Sequence, residues 1–268
     1  MGTATRRAST GRLGVAVLGS LCALGFGGTL AACSSDGADA AAEDRVVVHV
    51  FGAASLTDAF QELEVAFEAE QPGYDVQLNL AGSASLRAQV TSGAPVDVFA
   101  SANTEVMDDV VALDTTIGSP TPFATNRLQI AVPSGNPGEL TGLEDFANES
   151  LFLGLCAETV PCGSLAEAAL AAAAVVPSVD TREPDVRALL TKIEAAELDG
   201  GIVYATDVAA SPDDVDGIDI PAALGGAAIY PIAVLDQGDA ADGGSAFVMY
   251  VLGPSGVRIL TDHGFGTP

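Results

Sequence analysis

The chain has 268 residues, with 10 Lys and Arg against 36 Asp and Glu, and a formal net charge of −26. Such a balance repels nucleic acid, leaves no basic patch to follow phosphates and gives little attraction to anionic lipid. All 36 acidic residues lie beyond Cys33 and three of the basic ones before it, so the part after Cys33 carries seven basic residues and a net charge of −29.

Residues 1–12 contain Arg6, Arg7 and Arg12 with no acidic residue, and 13–30 form an apolar run rich in Gly and Ala. This is the order of a bacterial export signal. Leu30-Ala31-Ala32-Cys33 follows and resembles a lipobox, in which the Cys becomes the lipid-modified first residue. The expectation is a lipoprotein signal over 1–32 with lipidation at Cys33; a plain signal peptide or a membrane anchor is the alternative. Thr5-Arg6-Arg7 hints at a twin-arginine route but lacks the usual apolar continuation. Residues 34–44 are small and acidic, so 33–45 is expected to be a flexible tether. The remainder can hold one large domain or two lobes.

An apolar strand at 46–51 runs into Gly52-Ala53-Ala54-Ser55, after which Leu56, Ala59, Phe60, Leu63, Ala66 and Phe67 recur at helical spacing. Pro72-Gly73 precedes a strand at 74–80, which ends in Ala81-Gly82-Ser83 before a helix over about 84–91. A strand at 96–100 and a helix at 103–113 come next, and the Pro-rich stretch 119–123 leads to a strand at 129–132. The second stretch repeats the plan: a strand at 151–155, helices at 165–176 and 184–196, strands at 201–204 and 229–235, and helices at 244–252 and 254–262. The alternation predicts an α/β fold of mostly parallel sheets flanked by helices, in two lobes.

The junctions at Ser55 and Ser83 each set a hydroxyl and unpaired backbone N–H groups at a helix start, where the dipole favours an anion. A lone serine there more often only caps its helix. Ser55-Leu-Thr-Asp58 and Ser164-Leu-Ala-Glu167 are both capping-box patterns. Glu183-Pro184-Asp185-Val186 places Pro at a first helical position and leaves the next N–H groups unpaired. Tyr204 ends a buried strand, where its hydroxyl can reach a cleft or bond a carbonyl. Together these residues offer neutral donors from both halves of the chain. With Cys22 in the signal and Cys33 assigned to lipid, Cys156 and Cys162 remain. A disulfide between them is expected in an oxidising compartment, with two free thiols as the alternative.

Several blocks occur in order: FGAASLTDAF over 51–60, AGSASL over 81–86, GAPVDVFAS over 93–101, Asn126-Arg-Leu128, Thr159-Val-Pro-Cys-Gly163, Asp185-Val-Arg187, Gly201-Ile-Val-Tyr204 and Tyr230-Pro231. Over 46–265 the chain resembles the extracytoplasmic molybdate-binding proteins of molybdate ABC importers. The resemblance implies a type II periplasmic binding-protein fold, with lobe I at 46–124 and 231–268, lobe II at 125–230, and a ligand cleft between them. It implies that Ser55 and Ser83 donate through hydroxyl and backbone N–H, Cys162 and Val186 through backbone N–H, and Tyr204 through its hydroxyl. The implied ligand is molybdate or tungstate, with no cofactor, no metal ion bound directly by the protein and no catalysis. The implied partners are the molybdate permease and its ATPase, with a membrane contact only through the N-terminal lipid. The chain is expected to act as a monomer on the outer face of the cell membrane.

One departure is that the family often has Ala at the place of Cys162 and a D-P pair where Cys156-Ala157 stands. The alternatives are a binder of sulfate or phosphate, a surface lipoprotein that no longer binds, or a secreted hydrolase. The hydrolase lacks support: there is no G-x-S-x-G or H-E-x-x-H, and His49 and His263 do not sit beside either serine in the pattern.

Overall fold

Residues 45–268 are described by a computed structural model. The expected signal, Cys33 and the tether up to residue 44 lie outside the described residues. The strands are β1 (Val46–Ala53), β2 (Tyr74–Ala81), β3 (Val98–Ala100), β4 (Thr116–Asn126), β5 (Leu128–Pro133), β6 (Leu153–Cys156), β7 (Thr181–Glu183), β8 (Gly200–Tyr204), β9 (Val215–Asp219) and β10 (Ala228–Leu235). The helices are α1 (Thr57–Glu70), α2 (Ser83–Thr91), α3 (Thr104–Val111), α4 (Pro161–Ala172), α5 (Val186–Glu194), α6 (Ala205–Ala210), α7 (Ala222–Gly225), α8 (Ala241–Leu252) and α9 (Pro254–Asp262).

The strands form two five-stranded sheets, ordered β2-β1-β3-β10-β4 and β7-β6-β8-β5-β9. The chain passes from the first to the second between β4 and β5, and returns between β9 and β10. Asn126 and Arg127 stand at the first crossing. The two-lobe α/β expectation holds, but the sheets are mixed rather than mostly parallel. β10 runs antiparallel to β3 and β4, and β5 antiparallel to β8 and β9, while the remaining pairings are parallel. The reason is the two crossings: β5 and β10 each enter a sheet from the end at which its parallel strands finish.

β4, β7 and β9 were not legible as strands, and all three are sheet edges. An edge strand need not read as a buried apolar run. It also tolerates Pro120 and Pro122, since one row of its backbone N–H groups has no ladder partner. In the first lobe, Phe60, Leu63 and Phe67 of α1 pack on the sheet with Phe247 of α8, and the Phe67–Phe247 rings meet edge to face at 5.4 Å. The opposite face is covered by Leu86 and Val90 of α2 and Met107 and Val110 of α3, against Phe99. In the second lobe, Val186, Leu189, Leu190 and Ile193 give α5 one buried stripe at helical spacing.

Candidate anion-binding cleft

Strand register brings the two serines together. Ala53 of β1 pairs with Ala81 of β2 in a parallel ladder, and each serine follows two residues later, so both leave the sheet at one level. In the second sheet, β6, β7 and β8 run parallel and end at Cys156, Glu183 and Tyr204. Each lobe thus turns the carboxyl ends of its parallel strands, and the helix starts that follow them, toward the other lobe. Ligands collect at such ends in open α/β sheets.

Ser55, Ser83, Cys162, Val186 and Tyr204 line a single small cavity of about 20 Å³. All five are buried, none being more than 7% exposed. Ser83 Oγ accepts the Ala102 N–H at 3.1 Å, so its own proton is left to donate elsewhere. Ser55 Oγ lies 2.8 Å from the Tyr230 hydroxyl. The Tyr204 hydroxyl is fully buried and has no partner among the described residues. Burial raises its ionisation well above the usual phenol range, so it keeps its proton and remains a donor. A buried hydroxyl without a partner costs on the order of 1–3 kcal/mol. A ligand oxygen in the cavity would satisfy it.

The backbone donors follow from helix starts. α4 begins with Pro161 after the cap Val160, so the N–H groups of Cys162 and Gly163 fall in its first turn and have no intrahelical acceptor. α5 begins at Val186, capped by Asp185, whose carboxylate accepts the Ala188 N–H at 2.9 Å. That bond holds the Asp185 charge to its own helix, and the N–H of Val186 is unpaired by the helix.

Three local expectations need correction. Ser164 does not cap α4, which starts three residues earlier, and its Oγ bonds the Pro161 carbonyl at 3.1 Å. Pro184 lies before the α5 cap rather than at its first position; Pro161 of α4 holds that role. Ser55 makes no capping bond either, because residues 54–56 form a short 3₁₀ turn ahead of α1. Its hydroxyl is thereby released for the cavity.

Cys156 and Cys162 form a disulfide with 5.8 Å between their Cα atoms. It ties the end of β6 to the first turn of α4. Gly163 makes that closeness possible, since a Cβ there would lie 1.9 Å from the Ala157 carbonyl oxygen.

Every basic side chain among the described residues is paired with a carboxylate, and none lines the cavity: Arg45, Arg87, Arg127, Arg182, Arg187, Lys192 and Arg258. Of these cations, Arg187 alone joins the lobes, bonding Asp58 of α1 across the cleft. On its other side lies Asp207 of α6, 3.8 Å away. Asp207 is buried, and burial pushes its carboxyl up to about 7, opposed by Arg187 and by the Tyr204 N–H it accepts at 3.1 Å. A carboxyl raised in this way holds its proton in the folded state where the unfolded chain has lost it. Its contribution therefore falls as pH rises from about 4 through about 7, and the penalty is complete above that range. Asp207→Asn should flatten the stability profile across this window, measured by thermal melting at stepped pH. An unchanged slope would place the effect elsewhere.

The lobes also touch at Gly82, where a Cβ would lie 3.0 Å from both Asp185 Cβ and the Pro184 carbonyl oxygen. Tyr230, Asn126, Arg187 and Asp207 were not assigned a role at the cleft from sequence. Tyr230-Pro231 and Asn126-Arg127 stood out as blocks, but the partners that give them meaning are distant in the chain.

The family model for bacterial extracellular solute-binding proteins matches residues 48–266. A molybdate-binding protein of Mycobacterium tuberculosis, ModA, is 36% identical over 219 residues, covering 82% of this chain and 84% of that one. Among solved structures, the periplasmic molybdate-binding protein of Azotobacter vinelandii superposes with a TM-score of 0.70 at 17% identity, covering 82% of this chain and 99% of that one. The sulfate-binding protein SubI of Mycobacterium tuberculosis does so with a TM-score of 0.73 at 16% identity, covering 83% and 87%. At such identities the two structures speak for the fold alone.

Proposed function

The chain belongs to the bacterial extracellular solute-binding proteins, and we propose that its solute is molybdate, captured outside the cell for an ABC importer. It is a binding protein, not an enzyme. The observation that carries the ligand assignment is the buried, unpartnered Tyr204 hydroxyl, lining one cavity with the donors of Ser55, Ser83, Cys162 and Val186. Molybdate at neutral pH is fully deprotonated, so its four oxygens only accept hydrogen bonds. Neutral hydroxyl and amide donors suit it without a Lys or Arg, because their dipoles share its charge. The helix starts at α2, α4 and α5 add positive ends of macrodipoles on the same side. Tungstate has the same charge and shape, and we assign it to the same site.

The partners in this reading are a membrane permease and its ATPase. Lipidation at Cys33 holds the protein at the outer face of the membrane, and the tether lets the monomeric domain reach the permease. The lobes are 46–126 with 228–268, and 127–227, a few residues from the expected bounds because β4 and β10 belong to the first sheet, and they close over the anion about the two crossings. Hydrogenphosphate fits less well, since its remaining proton needs an acceptor and the five groups assigned to the anion all present donors.

Titration of the ligand-free protein with molybdate, tungstate, sulfate and phosphate by calorimetry tests the assignment. Molybdate and tungstate should bind one to one and far more tightly than the others. Preference for sulfate, or no heat with any of them, would overturn it. Closure can be probed at the same time. Gly82→Ala props the lobes apart where they meet and should weaken molybdate on the order of tenfold, as overpacking by one methyl does. Equal affinity in that variant would mean the contact is not part of the closed form.

A further inference from the structure

Resting on the ligand assignment above, we propose that Tyr230 and Asn126 form a hydrogen-bond relay that compels Ser55 to donate, so that the cleft selects oxyanions carrying no proton. The relay is read from its far end. Asn126 Oδ1 accepts the Arg127 N–H at 2.9 Å, which fixes the side-chain amide with its NH₂ group pointing the other way. That NH₂ donates to Thr206 Oγ1 at 2.8 Å and reaches the Tyr230 oxygen at 3.5 Å. The Tyr230 oxygen therefore faces a donor on one side and Ser55 Oγ at 2.8 Å on the other. With the amide donating on one side, the relay assigns the Tyr230 proton to Ser55, the hydroxyl nearest to it among its hydrogen-bond partners.

Ser55, now accepting from Tyr230, sends its remaining proton toward the cavity that it lines. Tyr230 is fully buried and burial raises its ionisation above the usual phenol range, so it keeps the proton that the relay gives to Ser55. Its ring is wedged edge to face by Tyr204 at 6.0 Å and Phe265 at 5.5 Å, which fixes where the hydroxyl lies. Asn126 also links the lobes, since it ends β4 of the first sheet and donates to Thr206 of α6 in the second.

An oxyanion with no proton gains from an enforced donor. Hydrogenphosphate would gain from a hydroxyl able to turn and accept, and the relay denies it one. Tyr230 and Asn126 are thus positioning residues that act through Ser55, and their signature is selectivity rather than affinity alone. Molybdate and hydrogenphosphate both carry two negative charges, so a general change in field moves both equally.

The test titrates wild type, Tyr230→Phe and Asn126→Asp with molybdate and with inorganic phosphate at mildly alkaline pH, with phosphate read by competition. Thermal melting of each ligand-free protein is recorded alongside. Tyr230→Phe keeps the ring packing and removes the proton given to Ser55. Asn126→Asp keeps the shape and offers a carboxylate that takes the Tyr230 proton, turning the relay round. Each variant should lower the molybdate-to-phosphate affinity ratio about ten- to a hundredfold, the worth of one hydrogen bond to a charged group. If Tyr230→Phe proves too unstable to titrate, the isosteric Asn126→Asp carries the test. A wild type that binds molybdate, with the ratio unchanged in the variants, overturns the relay alone. A wild type that binds neither anion overturns the ligand assignment and the relay with it.

Discussion

Replacing Ser55 and Ser83 together by alanine should remove molybdate binding while the protein still folds. Each hydroxyl is a charge-assisted donor in a buried site, and such a bond is worth about 1.5–3 kcal/mol. Loss of both weakens binding by roughly a hundred- to ten-thousandfold, beyond the reach of ordinary titration. The fold is affected less, though not negligibly. Without Ser83 Oγ the Ala102 N–H loses its acceptor, and without Ser55 Oγ the Tyr230 hydroxyl loses its own. Two orphaned buried donors cost about 1–3 kcal/mol each. In a domain of this size that lowers the melting temperature by roughly 5–20 °C. Calorimetry and thermal melting on the same sample separate the two effects. Full affinity in the double variant would place the anion elsewhere.

Tyr204→Phe should move affinity and stability in opposite directions. The Tyr204 hydroxyl is buried with no partner among the described residues, so the ligand-free protein bears the cost of leaving it unpaired. Phenylalanine relieves that cost and keeps the edge-to-face contact with Tyr230. The ligand-free variant should therefore melt a few degrees higher, a gain of about 1–3 kcal/mol. Its molybdate affinity should fall roughly ten- to a hundredfold, because the anion loses one donor. A purely structural tyrosine would instead show lower stability on losing its hydroxyl and no change in binding. The paired signs are what identify a hydroxyl kept for a ligand.

The two-lobe plan was legible because most central strands and their flanking helices carry strong periodicity. β1 and β8 are largely apolar runs, and α1 places Ala59, Phe60, Leu63 and Phe67 at helical spacing on one buried face. The order of antiparallel strands was not legible, since β10 joins the first sheet only after the chain has built the second. Nothing local in Ala228–Leu235 states which neighbours it will take. The edge strands β4, β7 and β9 escaped notice because edge positions need little apolar patterning.

At the cleft, the helix-start serines could be picked out because Gly and Ala surround them. Their real partners could not be seen. The Ser55 pattern suggested a capping box, yet its hydroxyl bonds Tyr230, 175 residues away. Arg187 reads as one more surface cation until the fold places it between Asp58 and Asp207 of opposite lobes. The cap of α4 moved four residues, from Ser164 to Val160, because Pro161 suits a first helical position. Local rules choose among nearby partners, and these residues are satisfied by remote ones.

The most direct measurement is a crystal of the protein grown with molybdate, with diffraction recorded on both sides of the molybdenum absorption edge. The anomalous difference map should show one strong peak in the cleft, within hydrogen-bonding reach through its oxygens of Ser55, Ser83, Cys162, Val186 and Tyr204. A peak outside this cavity, or a cleft without one at saturating molybdate, would contradict the account.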